Sequence, residues 1–282
     1  MPDKAWKAPE RHVVMFSGGV GSWAAAKRVV ARHGIEDVTL LFTDTLMEDA
    51  DLYRFLDEAA ANLGVSVTRI VEGRDPWQVF REERFLGNSR VDPCSRILKR
   101  EMSDKWLDDH CDPAATTVYV GIDWTEGHRY TRQPGTNGPK DKGGLRERRA
   151  ADGWRYEAPM CEPPYVTKLE MLSALRAEGI RPPKLYELGF AHNNCGGFCV
   201  KAGQGHFALL LKTMPDRYAY HEQMERAIRV DLGDVSILSD RSGDGAKKPL
   251  TLERFRQQIE SGRQADLFDI GGCGCFLDGE AA

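Results

Sequence analysis

Two groups of residues in this chain have types and spacings suited to chemistry. The first is Ser17-Gly18-Gly19-Val20-Gly21-Ser22, set between the apolar run His12–Phe16 and an Ala-rich stretch, Trp23–Arg32. Its glycines let the backbone curl tightly and bring N–H groups close to an anion. A helix starting here aims its open N–H groups and the positive end of its dipole at the same point. Ser17 and Ser22 add hydroxyl donors. The spacing fits neither the dinucleotide fingerprint nor the Walker loop, which needs a Lys-Ser/Thr pair after the second glycine. A phosphate or sulfate site is expected, against the plainer reading of a turn that only joins a strand to a helix.

The second group is the cysteines, seven in all. Cys195 and Cys199 sit in Asn193-Asn194-Cys195-Gly196-Gly197-Phe198-Cys199, Cys273 and Cys275 in Gly271-Gly272-Cys273-Gly274-Cys275-Phe276, and Cys94 follows Asp92-Pro93. Cys111 and Cys161 stand apart. An odd set in a chain this long is not a disulfide scaffold, and clustered thiols in a reducing compartment point to metal or redox chemistry. A [4Fe–4S] cluster takes up to four thiolates, and structural zinc takes the same set in a tetrahedron. The candidate ligands are Cys94, Cys195 and Cys199, with Cys273 or Cys275 as fourth. A Cys-x-Cys pair does not fit one compact site twice, which leaves one of these two spare or catalytic. Gly196, Gly197, Gly272 and Gly274 supply backbone that wraps a cluster closely. The alternative is glycine turns with buried thiols. His192 and His206 flank the paired cysteines, more in the manner of capping or surface residues than of ligands. Gly203-Gln204-Gly205-His206-Phe207 opens a helix and offers a second anion seat.

Other polar residues fall where strands should end. Phe42-Thr43-Asp44-Thr45 closes an apolar run, and an Asp there accepts from a ribose or holds Mg²⁺. Glu48 and Asp49 begin the next helix, where acidic residues stabilise any N-terminus. In Asp92-Pro93-Cys94-Ser95-Arg96-Ile97-Leu98-Lys99-Arg100 a cysteine opens a helix with cations one turn on, a setting that favours thiolate as nucleophile or ligand. A buried structural cysteine is the competing reading. Gly121-Ile122-Asp123-Trp124-Thr125-Glu126-Gly127-His128-Arg129 follows another apolar run, and Arg129 suits a phosphate or sulfate in bidentate fashion. His128 reads equally well as an ordinary loop residue.

The elements that must position these residues alternate. Strands are expected at His12–Phe16, Val38–Phe42, Val65–Val71 and Thr116–Ile122, with helices at Val20–Arg32, Asp49–Leu63, Trp77–Phe80 and Ser95–Leu107. The rhythm predicts a doubly wound, mostly parallel α/β sheet with ligands outside the carboxyl ends of its strands. Tyr130–Gly153, rich in Gly, Pro and charge, reads as a loop. Order resumes at Arg155–Met160. Helices follow at Thr167–Glu178, Gly203–Lys212, Pro215–Arg229 and Leu252–Gln258, with a charged linker over Ser239–Lys248. The expected organisation is a nucleotide-binding α/β domain over 10–130. A basic loop and a cysteine-rich helical region over 131–282 would complete the site.

Composition narrows the classes. A chain of 282 residues with 41% hydrophobic content makes one large α/β domain, or one domain with an appendage. A net charge of −4 gives no whole-chain attraction to nucleic acid. The basic stretch of Arg129, Arg132, Lys140, Lys142, Arg146, Arg148 and Arg149 is a local one. No run approaches the roughly 20 apolar residues of a membrane helix, and Met1–Arg11 does not read as a signal peptide. A cytoplasmic protein is expected.

Ser17–Ser22 resembles Ser-Gly-Gly-x-Asp-Ser, the PP-loop of the ATP pyrophosphatases and the related phosphoadenosine-phosphosulfate (PAPS) reductase family, with Gly21 where that pattern has Asp. The Thr43-Asp44-Thr45 edge, the Cys94–Lys99 helix start and the Gly121–Arg129 segment follow the same order of landmarks, over about Val13–Arg129. The resemblance implies an adenine nucleotide α-hydrolase-like fold, with an adenosine nucleotide (ATP or PAPS) between the first two strand edges. By that pattern Ser17, Gly18, Gly19, Val20, Gly21 and Ser22 hold phosphate, Asp44 and Thr45 lie by the nucleotide, and Arg129 lies near its anionic end. Metal-assisted release of pyrophosphate is the step that Gly21 touches.

The leading expectation is an enzyme that adenylates a substrate carbonyl, commonly of a nucleobase, so that sulfur displaces AMP. It would use Mg²⁺, a [4Fe–4S] cluster and a sulfur donor protein, with Cys94, Asp44 and Arg129 as the reacting groups. A second is reduction of PAPS or APS to sulfite through a thiosulfonate, although the chain ends Gly-Cys-Gly-Cys-Phe and not in that group's Glu-Cys-Gly. A third is a zinc-stabilised nucleic-acid-binding module whose PP-loop is degenerate. The acceptor, the donor and the oligomeric state are not legible.

Overall fold

The computed structural model describes residues 10–88, 91–131, 143–240 and 248–262. Cys273 and Cys275, and Arg132, Lys140 and Lys142 of the basic stretch, lie outside them. The chain forms two compact units, each gathered from separate segments.

The first unit takes Met1–Thr43, Asp51–Ile70 and Ser103–Pro183. Its strands are β1 (Arg11–Met15), β2 (Val38–Asp44), β3 (Val67–Val71), β4 (Thr116–Tyr119) and β5 (Arg155–Glu157), in the order β3-β2-β1-β4-β5. β1 pairs parallel with β2 and β4, and β4 with β5: His12 faces Val38, Arg11 faces Thr116 and Thr117 faces Arg155. β1 and β4 are buried almost throughout because both of their faces are covered. β3, at the edge, is half exposed. The crossover helices α1 (Val20–His33) and α2 (Ala50–Leu63) bury Ala24, Ala25, Ala26 and Val29, and Leu52, Phe55, Leu56 and Ala59. The winding reverses between β1 and β4, which makes their carboxyl ends the place where such sheets bind ligands. The sheet is doubly wound and these pairings are parallel, as expected.

Helices α3 (Pro76–Glu82) and α4 (Pro93–Ser95) are followed by a π-helical turn, Arg96–Glu101, and by α5 (Met102–His110). Then come α6 (Gly127–Tyr130), α7 (Leu145–Ala151), α8 (Lys168–Ala177), α9 (Lys184–Glu187), α10 (Gln204–Thr213) and α11 (Pro215–Leu232). A strand pair, β6 (Leu238–Asp240) and β7 (Lys248–Leu250), precedes α12 (Leu252–Glu260). Helix α7 falls in the stretch that composition assigns to a loop. Leu145 is buried there, Glu147 accepts from Gly144 N at 2.8 Å, and Arg149 pairs with Asp104 at 2.8 Å. Likewise β6 and β7 pair antiparallel at the ends of the expected linker.

The second unit takes Asp44–Ala50, Val71–Met102 and Lys184–Ala282. Its core holds Trp77, Phe80, Phe198, Phe207, Tyr218 and Phe255. Glu225 of α11 ties this region together, accepting from Ile237 N at 3.0 Å and Leu252 N at 2.6 Å. Burial pushes its carboxyl from the ordinary 4.5 up to about 7. The folded protein therefore holds a proton there that the unfolded chain has lost, and stability contributed below pH 4.5 drains away as pH rises to 7. At about 1.4 kcal/mol per pKa unit the loss is of order 3 kcal/mol. In thermal melts across pH 4.5–7.5, Glu225→Gln should remove this slope relative to the wild type; parallel curves would contradict it.

Candidate functional sites

The glycine loop belongs to the first unit. It leaves β1 at Phe16, turns through Gly18 at φ +76° and enters α1 with Gly19 as its N-cap. Gly19 offers no side-chain cap, and no acidic residue stands in the first turn. The N-terminal dipole of α1 therefore carries no protein carboxylate in that turn, the condition for seating an external anion. Ser17 is partly exposed. Ser22 is buried, and its hydroxyl donates to Gly19 O at 2.8 Å, so its proton serves the turn.

Gly21 has a structural cause that the sequence does not show. A β-carbon there would lie 2.8 Å from the carbonyl oxygen of Gly121, just past β4. One at Gly121 would lie 2.6 Å from Ser22 N. The start of α1 and the end of β4 thus touch backbone to backbone, and the aspartate of the PP-loop pattern has no room. The same contact brings the Gly121–Arg129 segment to the loop. Arg129 donates to Glu126 Oε1 at 2.7 Å, while its Nε is buried without a hydrogen-bond partner. A buried guanidinium N–H without a partner suits an oxyanion. His128 is exposed.

The cysteine site belongs to the second unit. Cys94, Cys195 and Cys199, up to 105 positions apart, line one small pocket. Thr45, Ser95, Asp92, Lys99 and Lys201 share its wall, with Phe198 between the paired cysteines. Asp92 lies 3.9 Å from Lys201 and 3.7 Å from Arg100, and burial pushes its carboxyl up. The π-helical turn after Cys94 carries both Lys99 and Arg100 as buried residues. Such wide turns collect at functional sites.

The turn holding Cys195 is unusual. Cys195, Gly196 and Gly197 all have positive φ, at 50°, 57° and 82°. A side chain at Gly196 would collide with the Arg217 guanidinium, which donates to Met47 O and to Cys195 O. Cys195 N donates to Glu48 Oε2 at 2.5 Å. His206 meets Gly197 O at 2.7 Å and must donate there, since a carbonyl only accepts. His206 is thereby a clamp on the turn through Nε2, and burial lowers its pKa.

Asp44 ends β2, Thr45 follows it, and both are buried. Asp44 Oδ1 accepts from Leu46 N at 2.7 Å, and Thr45 Oγ1 donates to Glu48 Oε1 at 3.0 Å. Among the described residues, no group of three or more His, Cys, Asp or Glu stands at metal-holding spacing. Three thiols and two lysines line the same pocket, a donor set of the soft type that thiophilic metals prefer. Asp92, Glu48 and Lys201 escaped sequence reading because each looks like an ordinary solvated charge.

No protein-family model matches the chain, and no curated protein matches it. Among solved structures it is similar to a phosphoadenylyl-sulfate reductase from Candida auris in a phosphate complex (TM-score 0.41, 12% identity, 66% of this chain and 80% of that one). It is also similar to the U34-tRNA thiolase NcsA from Methanococcus maripaludis with its [4Fe-4S] cluster (0.45, 11%, 86% and 79%). A third is a predicted subunit of tRNA methyltransferase from Methanocaldococcus jannaschii (0.32, 15%, 61% and 90%). At such scores none of them bears on the sites, whose reading rests on their own geometry.

Gly21→Ala should cost about 1–3 kcal/mol in chemical denaturation, the ordinary penalty of overpacking. Gly127→Ala, where a β-carbon meets nothing within 4 Å, should leave stability unchanged or slightly raised. Equal stability of Gly21→Ala and wild type would remove the backbone contact as the reason for the missing aspartate.

Proposed function

We propose that this chain is a PP-loop enzyme that binds an adenosine nucleotide at Ser17–Ser22 and performs sulfur chemistry at a cysteine-held centre. The observation that carries this reading is the convergence of Cys94, Cys195 and Cys199 on one lysine-bearing pocket. Scattered structural thiols have no reason to meet there.

In the leading form, the substrate is a nucleobase carbonyl of a nucleic acid. Its oxygen attacks the α-phosphate of ATP, pyrophosphate leaves, and a sulfur nucleophile from a donor protein then displaces AMP. The loop N–H groups and the α1 dipole would offset phosphate charge as it shifts, with Mg²⁺ on the pyrophosphate and Arg129 Nε toward an anionic oxygen. Cys94, Cys195 and Cys199 would hold a [4Fe–4S] cluster, which supplies an iron site for sulfur; zinc in the same set would be structural. A soluble, cytoplasmic setting agrees with this chemistry, and no helix among the described residues is long and apolar enough to cross a membrane.

A second reading is favoured by one observation. Gly21 leaves no room for the loop aspartate, and reduction of PAPS or APS needs no pyrophosphate cleavage. There a thiolate attacks the sulfate sulfur and expels the adenosine phosphate. A second thiol then attacks the thiosulfonate, releasing sulfite and leaving a disulfide that a dithiol such as thioredoxin reduces.

Protein purified without air should be brown and carry about four iron and four labile sulfide per chain, lost in Cys195→Ala and Cys199→Ala. Zinc without iron, with salt-sensitive nucleic-acid binding and no turnover, would overturn the enzyme in favour of a binding module. Pyrophosphate release from ATP on adding RNA or DNA supports adenylation. Thioredoxin-dependent sulfite release from PAPS would replace it with the reductase.

A further inference from the structure

Glu48 is the residue whose surroundings go furthest beyond its sequence reading. At the start of a helix an acidic residue is ordinary, yet only 1% of this side chain is exposed. It does not line the cysteine pocket, but touches three residues that do. Oε1 accepts from Thr45 Oγ1 at 3.0 Å and lies 3.8 Å from Lys99 Nζ, and Oε2 accepts from Cys195 N at 2.5 Å.

The bond to Cys195 has a specific task. A non-glycine residue at φ 50° is held against its own Cβ, and persists only where the surroundings over-determine it. Cys195 is the only one of three consecutive left-handed residues that carries a side chain. Where its backbone N–H points therefore decides where its thiol points. Arg217 fixes the carbonyl of the same residue, and Glu48 fixes its N–H.

We infer that Glu48 is the positioning residue of the cysteine pocket: its carboxylate reaches across to Cys195 N and holds the Cys195 thiol toward Cys94 and Cys199. This rests on the proposed role of those cysteines, but not on any metal being bound. Reach is what matters for the bond to Cys195. Glu48→Gln keeps an acceptor oxygen at the same distance, and Glu48→Asp keeps the charge but is one methylene short.

The test is residue-resolved alkylation of the reduced, metal-free full chain by iodoacetamide, read by mass spectrometry. In Glu48→Asp, the Cys195 rate should rise at least about tenfold, with Cys94 and Cys111 within about twofold of wild type. In Glu48→Gln, Cys195 should stay within about threefold. Three results overturn the inference: an unchanged Cys195 in Glu48→Asp, an equal rise at Cys94, Cys195 and Cys111, or an equal rise at Cys195 in both variants. Cobalt(II) titration of the wild type, read in thiolate charge-transfer absorption, tests the metal reading separately. No cobalt band with the alkylation pattern intact would remove the metal and leave the role of Glu48 standing.

Discussion

Three successive left-handed residues do not hold themselves in place, and the second unit is organised around keeping Cys195, Gly196 and Gly197 there. Each such residue that carries a Cβ costs about 1–2 kcal/mol in backbone strain. The offset comes from hydrogen bonds, worth about 1.5–3 kcal/mol where a charged group takes part and about 1 kcal/mol otherwise. Glu48 takes the Cys195 N–H, Arg217 the Cys195 carbonyl and His206 the Gly197 carbonyl. Phe198, next in sequence, stacks on His221 at 3.7 Å and on Trp77 at 5.4 Å. Trp77 Nε1 donates to His221 Nδ1 at 3.1 Å, and burial holds that imidazole well below its ordinary pKa. The neutral ring is thus an acceptor fixed by a tryptophan, and it anchors the aromatic residue between two candidate ligands. A turn held from so many sides presents its thiols at fixed positions, which is what a cluster or a resolving thiol pair requires.

The glycine loop follows a different logic. Its place comes from topology, because β1 and β4 lie where the winding reverses, and carboxyl ends at such a point form the crevice where sheets of this kind bind ligands. The cost is steric. The start of α1 approaches β4 so closely that positions 21 and 121 admit no side chain. What the loop offers an anion is therefore backbone N–H groups and the α1 dipole. Under the proposed function it would seat phosphate or sulfate without a carboxylate of its own at position 21, and any metal assisting pyrophosphate departure would find its ligands elsewhere.

Much of this was legible in sequence because it rests on local rules. The apolar run, glycine turn and Ala-rich stretch at residues 12–32 specify strand, loop and helix by periodicity alone. The cysteines announced themselves by spacing. What escaped depends on contacts far apart in the chain. Glu48 reads as a helix-start acid until Cys195, 147 positions on, is seen to donate to it. Gly21 reads as a lost aspartate until Gly121 is placed against it. Helix α7 hides in a Gly- and Arg-rich stretch because its stability comes from buried Leu145 and the Arg149–Asp104 pair. The π-helical turn at Arg96–Glu101 has no sequence signature, since it exists to bury two adjacent cations.

The central claim is that Cys94, Cys195 and Cys199 hold an iron–sulfur centre. Iron K-edge absorption on protein isolated without air tests it most directly. The account expects a first shell of sulfur alone with iron–iron scattering behind it, both lost in Cys195→Ala. An iron shell of oxygen and nitrogen, or a zinc edge with no iron, would contradict it.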